Sequence, residues 1–144
     1  MAFRGQSDHS LDSKKRLTVP SKYRSAFADG VVLHKWLDPC VALWTPDGFE
    51  TFTKSWLPDL NPLGRTRRHL TGYLVSNSWD VPLDSAGRVT LNDKLLAHAG
   101  IDKDVVVVGN VDHLEVWDRE RWQKHQEELA SEIAELAESI GNPS

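Results

Sequence analysis

The chain has 144 residues, of which 40% are hydrophobic and 26% charged, and it carries a net charge of −4. That length fits one domain or two very small ones, and apolar runs such as Val105 to Val108 are far short of a membrane span. A single cysteine, Cys40, excludes an internal disulfide and reads as a small buried side chain. The start, MAFRGQSD, has no apolar core of signal length, so a cytoplasmic chain is expected.

In chain order, residues 3–9 read as a short edge strand. Residues 11–20, LDSKKRLTVP, place a polar turn ahead of a strand. Asp12 and Ser13 have short side chains able to accept bonds from backbone N–H groups ahead of them. Leu17 and Val19 then alternate with Arg16 and Thr18, giving one apolar and one polar face. Pro20 opens a short helix with Tyr23 and Phe27 on one side, and Asp29-Gly30 ends it. Residues 31–36 and 40–44 read as strands. Thr45, Pro46 and Asp47 mark a helix start over 45–56, and a second helix runs from Asn61-Pro62 to about Leu74.

Strand patterning resumes near Asn77. Asn92 caps a helix that Gly100 stops. Residues 105–108 read as a strand buried on both faces, and Leu114, Val116 and Trp117 belong to a closing strand. From Asp118 to about Ile140 the pattern predicts one helix, with Trp122, Leu129, Ile133, Leu136 and Ile140 along a narrow seam that suits a partner surface. Residues 141–144 are expected to fray.

The chain repeats itself. LDSAGRVTLN (83–92) matches LDSKKRLTVP (11–20), so Asp12 meets Asp84, Ser13 meets Ser85, and Arg16 meets Arg88. Further on, VALWTPDGF (41–49) matches LEVWDRERW (114–122). A unit this small buries its own core poorly, so the two copies are expected to pack as one pseudo-symmetric α+β body. The division expected is repeat one at 6–49, a helical insert at 50–76, repeat two at 77–120, and a C-terminal helix and tail at 121–144.

Charge is unevenly spread. Residues 1–24 hold six basic groups against two acids, and residues 118–140 hold seven acids against three bases. One end suits a polyanion and the other repels it. A lone D-S-x-x-R turn is satisfied by a solvated Asp–Arg pair. Two equivalent turns instead place two arginines in matching poses, which suits a ligand that repeats along its length, such as a DNA duplex. The candidate contacts are Lys14, Lys15, Arg16, Lys22, Arg24 and Arg88, with Asp12, Ser13, Asp84 and Ser85 stabilising the turns. Binding through the first copy is expected to be the stronger, because Ala86 and Gly87 stand where it has lysines. Arg65, Arg67 and Arg68 are assigned to a solvated helix face. The six histidines show no metal-ligand spacing, and no nucleophile elbow, phosphate loop or carboxylate pair points to an enzyme. No metal, cofactor, membrane or small-molecule substrate is expected.

With the FRG start, both D-S-x-x-R turns, PCVALW and VVVVGNVDHLEVWDRERW in view, the sequence resembles the MraZ family of bacterial transcriptional regulators. The resemblance implies two SpoVT/AbrB-like units forming a swapped-hairpin β-barrel. It implies ring-shaped homo-oligomers on the nucleoid that bind direct repeats in the promoter of the division and cell-wall operon, usually as a repressor. The family's DNA-contacting arginines fall on Arg16 and Arg88, and its neighbouring lysine on Lys14. The family's usual turn glycine is kept as Gly87 but replaced by Lys15 in the first copy. A left-handed backbone there costs Lys about 1 kcal/mol, and Lys15 is assigned as an added phosphate contact. The rival reading is a protein-interaction module of antitoxin type, whose long helix wraps a partner protein.

Overall fold

The computed structural model describes residues 2–141. Its strands are β1 (Gln6–Ser10), β2 (Arg16–Thr18), β3 (Val31–Lys35), β4 (Val41–Trp44), β5 (Ser78–Val81), β6 (Arg88–Thr90), β7 (Asp104–Gly109) and β8 (Leu114–Asp118). Six of them form one antiparallel sheet in the order β1-β7-β8-β4-β3-β5, and β2 pairs with β6 as a separate ribbon. Exchanging β1 with β5, β3 with β7 and β4 with β8 maps that order onto its own reverse, as the sequence repeat requires.

The copies trade strands. β1 of the first pairs with β7 of the second, Gln6 opposite Val108. β5 of the second pairs with β3 of the first, Val31 opposite Val81. The α+β class is as expected. The ladders do not close into a single barrel, because β1 and β5 remain the outer strands of the sheet.

Alternation along each strand splits its side chains between two layers. One face of the sheet, with Val31, Leu33, Val41, Leu43, Val105, Val107, Leu114 and Val116, packs against Leu17, Val19, Val89 and Leu91 from the ribbon. The ribbon therefore roofs the main core, and its outward side chains face solvent. The other sheet face carries Val32, Ala42 and Trp44, and beside them Cys40, Val106, Val108 and Trp117. Helix α1 (Pro46–Lys54) covers the first group with Phe49 and Phe52, and helix α4 (Arg119–Ala130) covers the second with Trp122. Trp44 and Trp117 are core residues: Trp44 stacks on Phe52 and Trp117 on His125. Cys40 is buried as expected, and burial pushes its thiol far above the usual range.

Local signals hold at several ends. Thr45 caps α1 by accepting from the Gly48 amide, and Asn92 caps α3 (Asp93–Ala99) by accepting from the Leu95 amide. Gly100 closes α3 with φ 63°. The segment after Pro20 is a 3-10 turn, Ser21–Phe27, with Tyr23 and Phe27 buried. The second insert helix is shorter than expected: α2 spans Arg65–Leu70 and continues as a π-helical turn over Thr71–Val75.

The expected single C-terminal helix is two. α4 ends at Ala130 with Ser131 as its C-cap, and α5 (Ile133–Gly141) starts anew. The Ser131 hydroxyl donates to the Glu128 carbonyl, and the Glu132 amide turns back to the Leu129 carbonyl. A serine competing for backbone groups in this way ends a helix that apolar spacing alone would carry on. Trp122 and Ile133 therefore do not share one straight seam. Of the tail expected to fray, Gly141 ends α5 and residues 142–144 lie outside the described residues.

Candidate nucleic-acid interface

The two D-S-x-x-R turns are built bond for bond alike. In the first, Asp12 Oδ1 accepts from the amides of Lys14 and Arg16 at 2.9 Å each, and Oδ2 accepts from Arg16 Nε at 2.6 Å. In the second, Asp84 Oδ1 accepts from the amides of Ala86 and Arg88 at 2.9 Å each, and Oδ2 accepts from Arg88 Nε at 2.8 Å. One carboxylate thus folds the turn with one oxygen and aims the arginine with the other. The Arg16 amide foremost, with its guanidinium, holds the Asp12 carboxyl below the ordinary carboxylate range, and Arg88 does the same for Asp84. Ser13 and Ser85 are exposed, and among the described residues their hydroxyls make no bond. The side-chain bonds that shape both turns run through the aspartates.

The ribbon sets the arginines side by side. Arg16 lies opposite Thr90, Leu17 opposite Val89, and Thr18 opposite Arg88. The ladder extends at both ends, where the Val19 amide bonds the Gly87 carbonyl and the Leu91 amide bonds the Lys15 carbonyl. Leu17 and Val89 point into the core, leaving Arg16, Thr18, Arg88 and Thr90 on the outward face. Arg16 and Arg88 are diagonal neighbours in this register, which places them roughly 7–8 Å apart. The Nε of each is tied to its aspartate, and among the described residues the terminal guanidinium nitrogens have no partner. An arginine so aimed keeps its planar fork for a phosphate or a guanine edge.

The other candidate contacts separate. Lys14 and Lys22 are exposed, with the Lys22 ammonium over the Tyr23 ring. Lys15 has φ 59°, the counterpart of Gly87 at φ 75°, so the turn does require a left-handed residue in both copies. Its ammonium is drawn aside, donating to the Asp102 carbonyl at 3.0 Å with the Asp102 carboxylate at 3.7 Å. Replacing Lys15 by Gly relieves about 1–2 kcal/mol of backbone strain and restores about 0.4–1 kcal/mol of unfolded-chain entropy. The exposed ion pair adds little. Lys15→Gly is therefore expected to stabilise the fold by about 0.5 kcal/mol, read as a higher urea midpoint.

Arg24 lies where its position in the sequence gives no hint. Its Nε donates to the Val19 carbonyl, and its guanidinium packs over the second turn, where a Cβ on Gly87 would lie 2.5 Å from Nε. The first copy thus lends a positive charge to the second turn, offsetting the lysines that turn lacks. Only the register between β2 and β6 brings Arg24 there, so the sequence carries no local signal for it. Arg65, Arg67 and Arg68 sit on α2, and among the described residues their side chains have no hydrogen bond or ion pair.

Elsewhere the acids gather on α4 and α5, including Glu120, Glu127, Glu128, Glu135 and Glu138. Among the described residues no group of three or more His, Cys, Asp and Glu side chains could hold a metal ion, and no helix is long and apolar enough to cross a membrane.

A family model described as "MraZ protein, putative antitoxin-like" matches residues 2–60 and 74–141. The matched stretches hold both turns and every strand, and omit 61–73, where α2 lies. Among curated proteins, the transcriptional regulator MraZ of Mycoplasmoides gallisepticum is 36% identical over 138 residues, covering 96% of each chain. That of Lachnoclostridium phytofermentans is 32% identical over 139 residues, 96% of this chain and 97% of its own. That of Limosilactobacillus fermentum is 33% identical over 135 residues, 94% of each.

Proposed function

The chain belongs to the MraZ family, and on that footing we propose that it is a sequence-specific double-stranded DNA-binding regulator. It represses the division and cell-wall operon, its own gene included, from the nucleoid. Its relatives bear the name transcriptional regulator. The observation that carries the reading is the pair of identically braced arginines, Arg16 and Arg88, on one outward ribbon face. A two-stranded ribbon fits the major groove of B-DNA, which is about 12 Å wide. Lys14 and Lys22 add phosphate contacts on the first-copy side, and Arg24 supports the second turn.

One chain offers few basic groups and carries a net charge of −4. Several chains on a ring, each meeting one direct repeat, supply the missing affinity through effective concentration. The exchange of strands between copies supports a single swapped-hairpin body, with repeats at 6–49 and 77–120, the insert at 50–76 and the C-terminal segment at 121–144. A gel shift on the chain's own upstream DNA tests the reading. The shift should be retained against unrelated duplex and should weaken steeply with salt, log K falling by about 0.9 per phosphate contact for each tenfold rise in salt. Equal affinity for unrelated duplex would remove the sequence-specific role.

One observation favours the antitoxin-like alternative. α5 leaves Ile133, Leu136 and Ile140 at 59%, 46% and 83% exposure. This is an apolar face in want of a cover, and ring assembly needs such a face as much as a foreign partner does. An Ile133→Glu/Ile140→Glu chain is expected to sediment as a smaller particle than the wild type and to bind the promoter about a hundredfold less tightly. A variant that keeps the wild-type mass and affinity would turn that face over to a different partner.

A further inference from the structure

The ribbon's outward face holds two side chains besides the arginines. Thr18 stands directly opposite Arg88, and Thr90 directly opposite Arg16. Cβ atoms of such cross-strand partners lie about 4.5–5.5 Å apart. Both threonines are exposed, and among the described residues neither hydroxyl makes a hydrogen bond. Each therefore keeps a hydroxyl that donates or accepts and a methyl able to meet a thymine methyl. Branching at Cβ limits their rotamers, so little freedom is lost when they engage a ligand.

Threonine is also favoured in strands for its shape alone. That accounts for a β-branched residue at each position, and Val would serve as well. It does not account for two polar side chains set symmetrically beside the two aspartate-braced guanidinium groups, with Leu17 and Val89 between them buried.

Resting on the duplex-binding reading above, we infer that Thr18 and Thr90 are base-reading residues that, with Arg16 and Arg88, set which promoter sequence the ribbon accepts. Strand geometry gives the expected spacing. Arg16 and Thr18 are two residues apart on one strand, about 6.6–6.8 Å, and base pairs along a duplex are spaced about 3.4 Å. A ribbon lying along the groove thus places each threonine about two base pairs from the arginine of its own strand.

The test is binding of the full-length chain to a randomised promoter-repeat library, compared for wild type, Arg16→Ala, Arg88→Ala, Thr18→Val, Thr90→Val, Thr18→Ala and Thr90→Ala. Valine keeps the shape and strand preference and removes the hydroxyl; alanine removes the methyl as well. The expected result is a loss of preference of about fivefold or more at one base pair for at least one substitution at each threonine. That base pair should lie about two steps from the one affected by Arg16→Ala or Arg88→Ala. Affinity for unrelated duplex and its salt dependence should stay as in wild type, which a misfolded or merely loosened ribbon would not allow. If all four threonine variants keep the wild-type base profile while Arg16→Ala alters it, the inference is overturned and the duplex-binding reading stands. If wild type itself shows no base preference, both fall.

Discussion

Arg16→Ala is expected to weaken promoter binding by about 5- to 150-fold, the range of a lost fork contact of about 1–3 kcal/mol. Arg88→Ala should lose less, because the flanking lysines stand only beside the first turn. Both should be measured on the full-length chain at one stated salt concentration, because the electrostatic part of binding moves with salt. The sharper comparison is Asp12→Asn. The amide keeps an oxygen for the Lys14 and Arg16 backbone amides, so the turn survives. It removes the carboxylate that grips Arg16 Nε. Simple electrostatics has Asp12→Asn binding DNA more tightly, since a negative charge near phosphate is gone. Positioning requires the opposite, because a freed arginine must be ordered again each time it binds. The expectation is weaker binding despite the gain in positive charge. Tighter binding by Asp12→Asn would show that the braced geometry has no part in recognition.

Acid should destabilise the fold between about pH 6.5 and 4, and His34 is the reason. It is fully buried among Trp36, Phe49 and Phe52. Burial foremost, with His113 beside it, lowers its pKa from 6.5 to about 4. The Leu74 backbone offsets part of this without reaching bonding geometry, so both ring nitrogens are left without a partner among the described residues. The unfolded chain takes up a proton below pH 6.5 that the folded chain refuses until about pH 4. Stability is therefore full above 6.5 and falls as pH drops through that window, by on the order of 3 kcal/mol.

Neighbouring groups act in other ranges. Burial disfavours the charged form of His113, but its bonds to Glu115 and Asp112 prevail and raise its pKa, so its contribution is lost on the alkaline side. Burial opposes ionisation of Glu115 too, but bonds from His113, Trp117 and Asn110 hold its carboxyl below 4.5, so its loss comes at lower pH. His34→Leu should flatten the fall between pH 6.5 and 4 in urea melts. An unchanged slope would place the acid sensitivity elsewhere.

Where the sequence was legible, the information was local. The caps at Thr45 and Asn92, the stop at Gly100, and the alternation of Leu17 and Val19 with Arg16 and Thr18 each sit within a few residues of what they shape. The repeat was equally plain, and with it the equivalence of Arg16 and Arg88. Contacts between distant segments were not legible. Nothing near Arg24 says that it roofs Gly87, and nothing near Lys15 says that Asp102 draws its ammonium away. Glu115 belongs to an alternating strand that reads as ordinary, yet it is buried and bonded by Trp117, His113 and Asn110. The break at Ser131 was hidden because apolar spacing continues past it, and one hydroxyl decides against the pattern.

The trading of strands also bears on how the chain is made. β1 is synthesised first, yet among the described residues its ladder partner is β7, which begins at Asp104. An emerging chain must therefore hold Gln6–Ser10 unpaired until about seven-tenths of the polypeptide has left the ribosome. Closure across so long a stretch is slow compared with helix formation. Translation arrested within the insert would leave a half-molecule with an open edge and no mate, a natural substrate for chaperones and proteases.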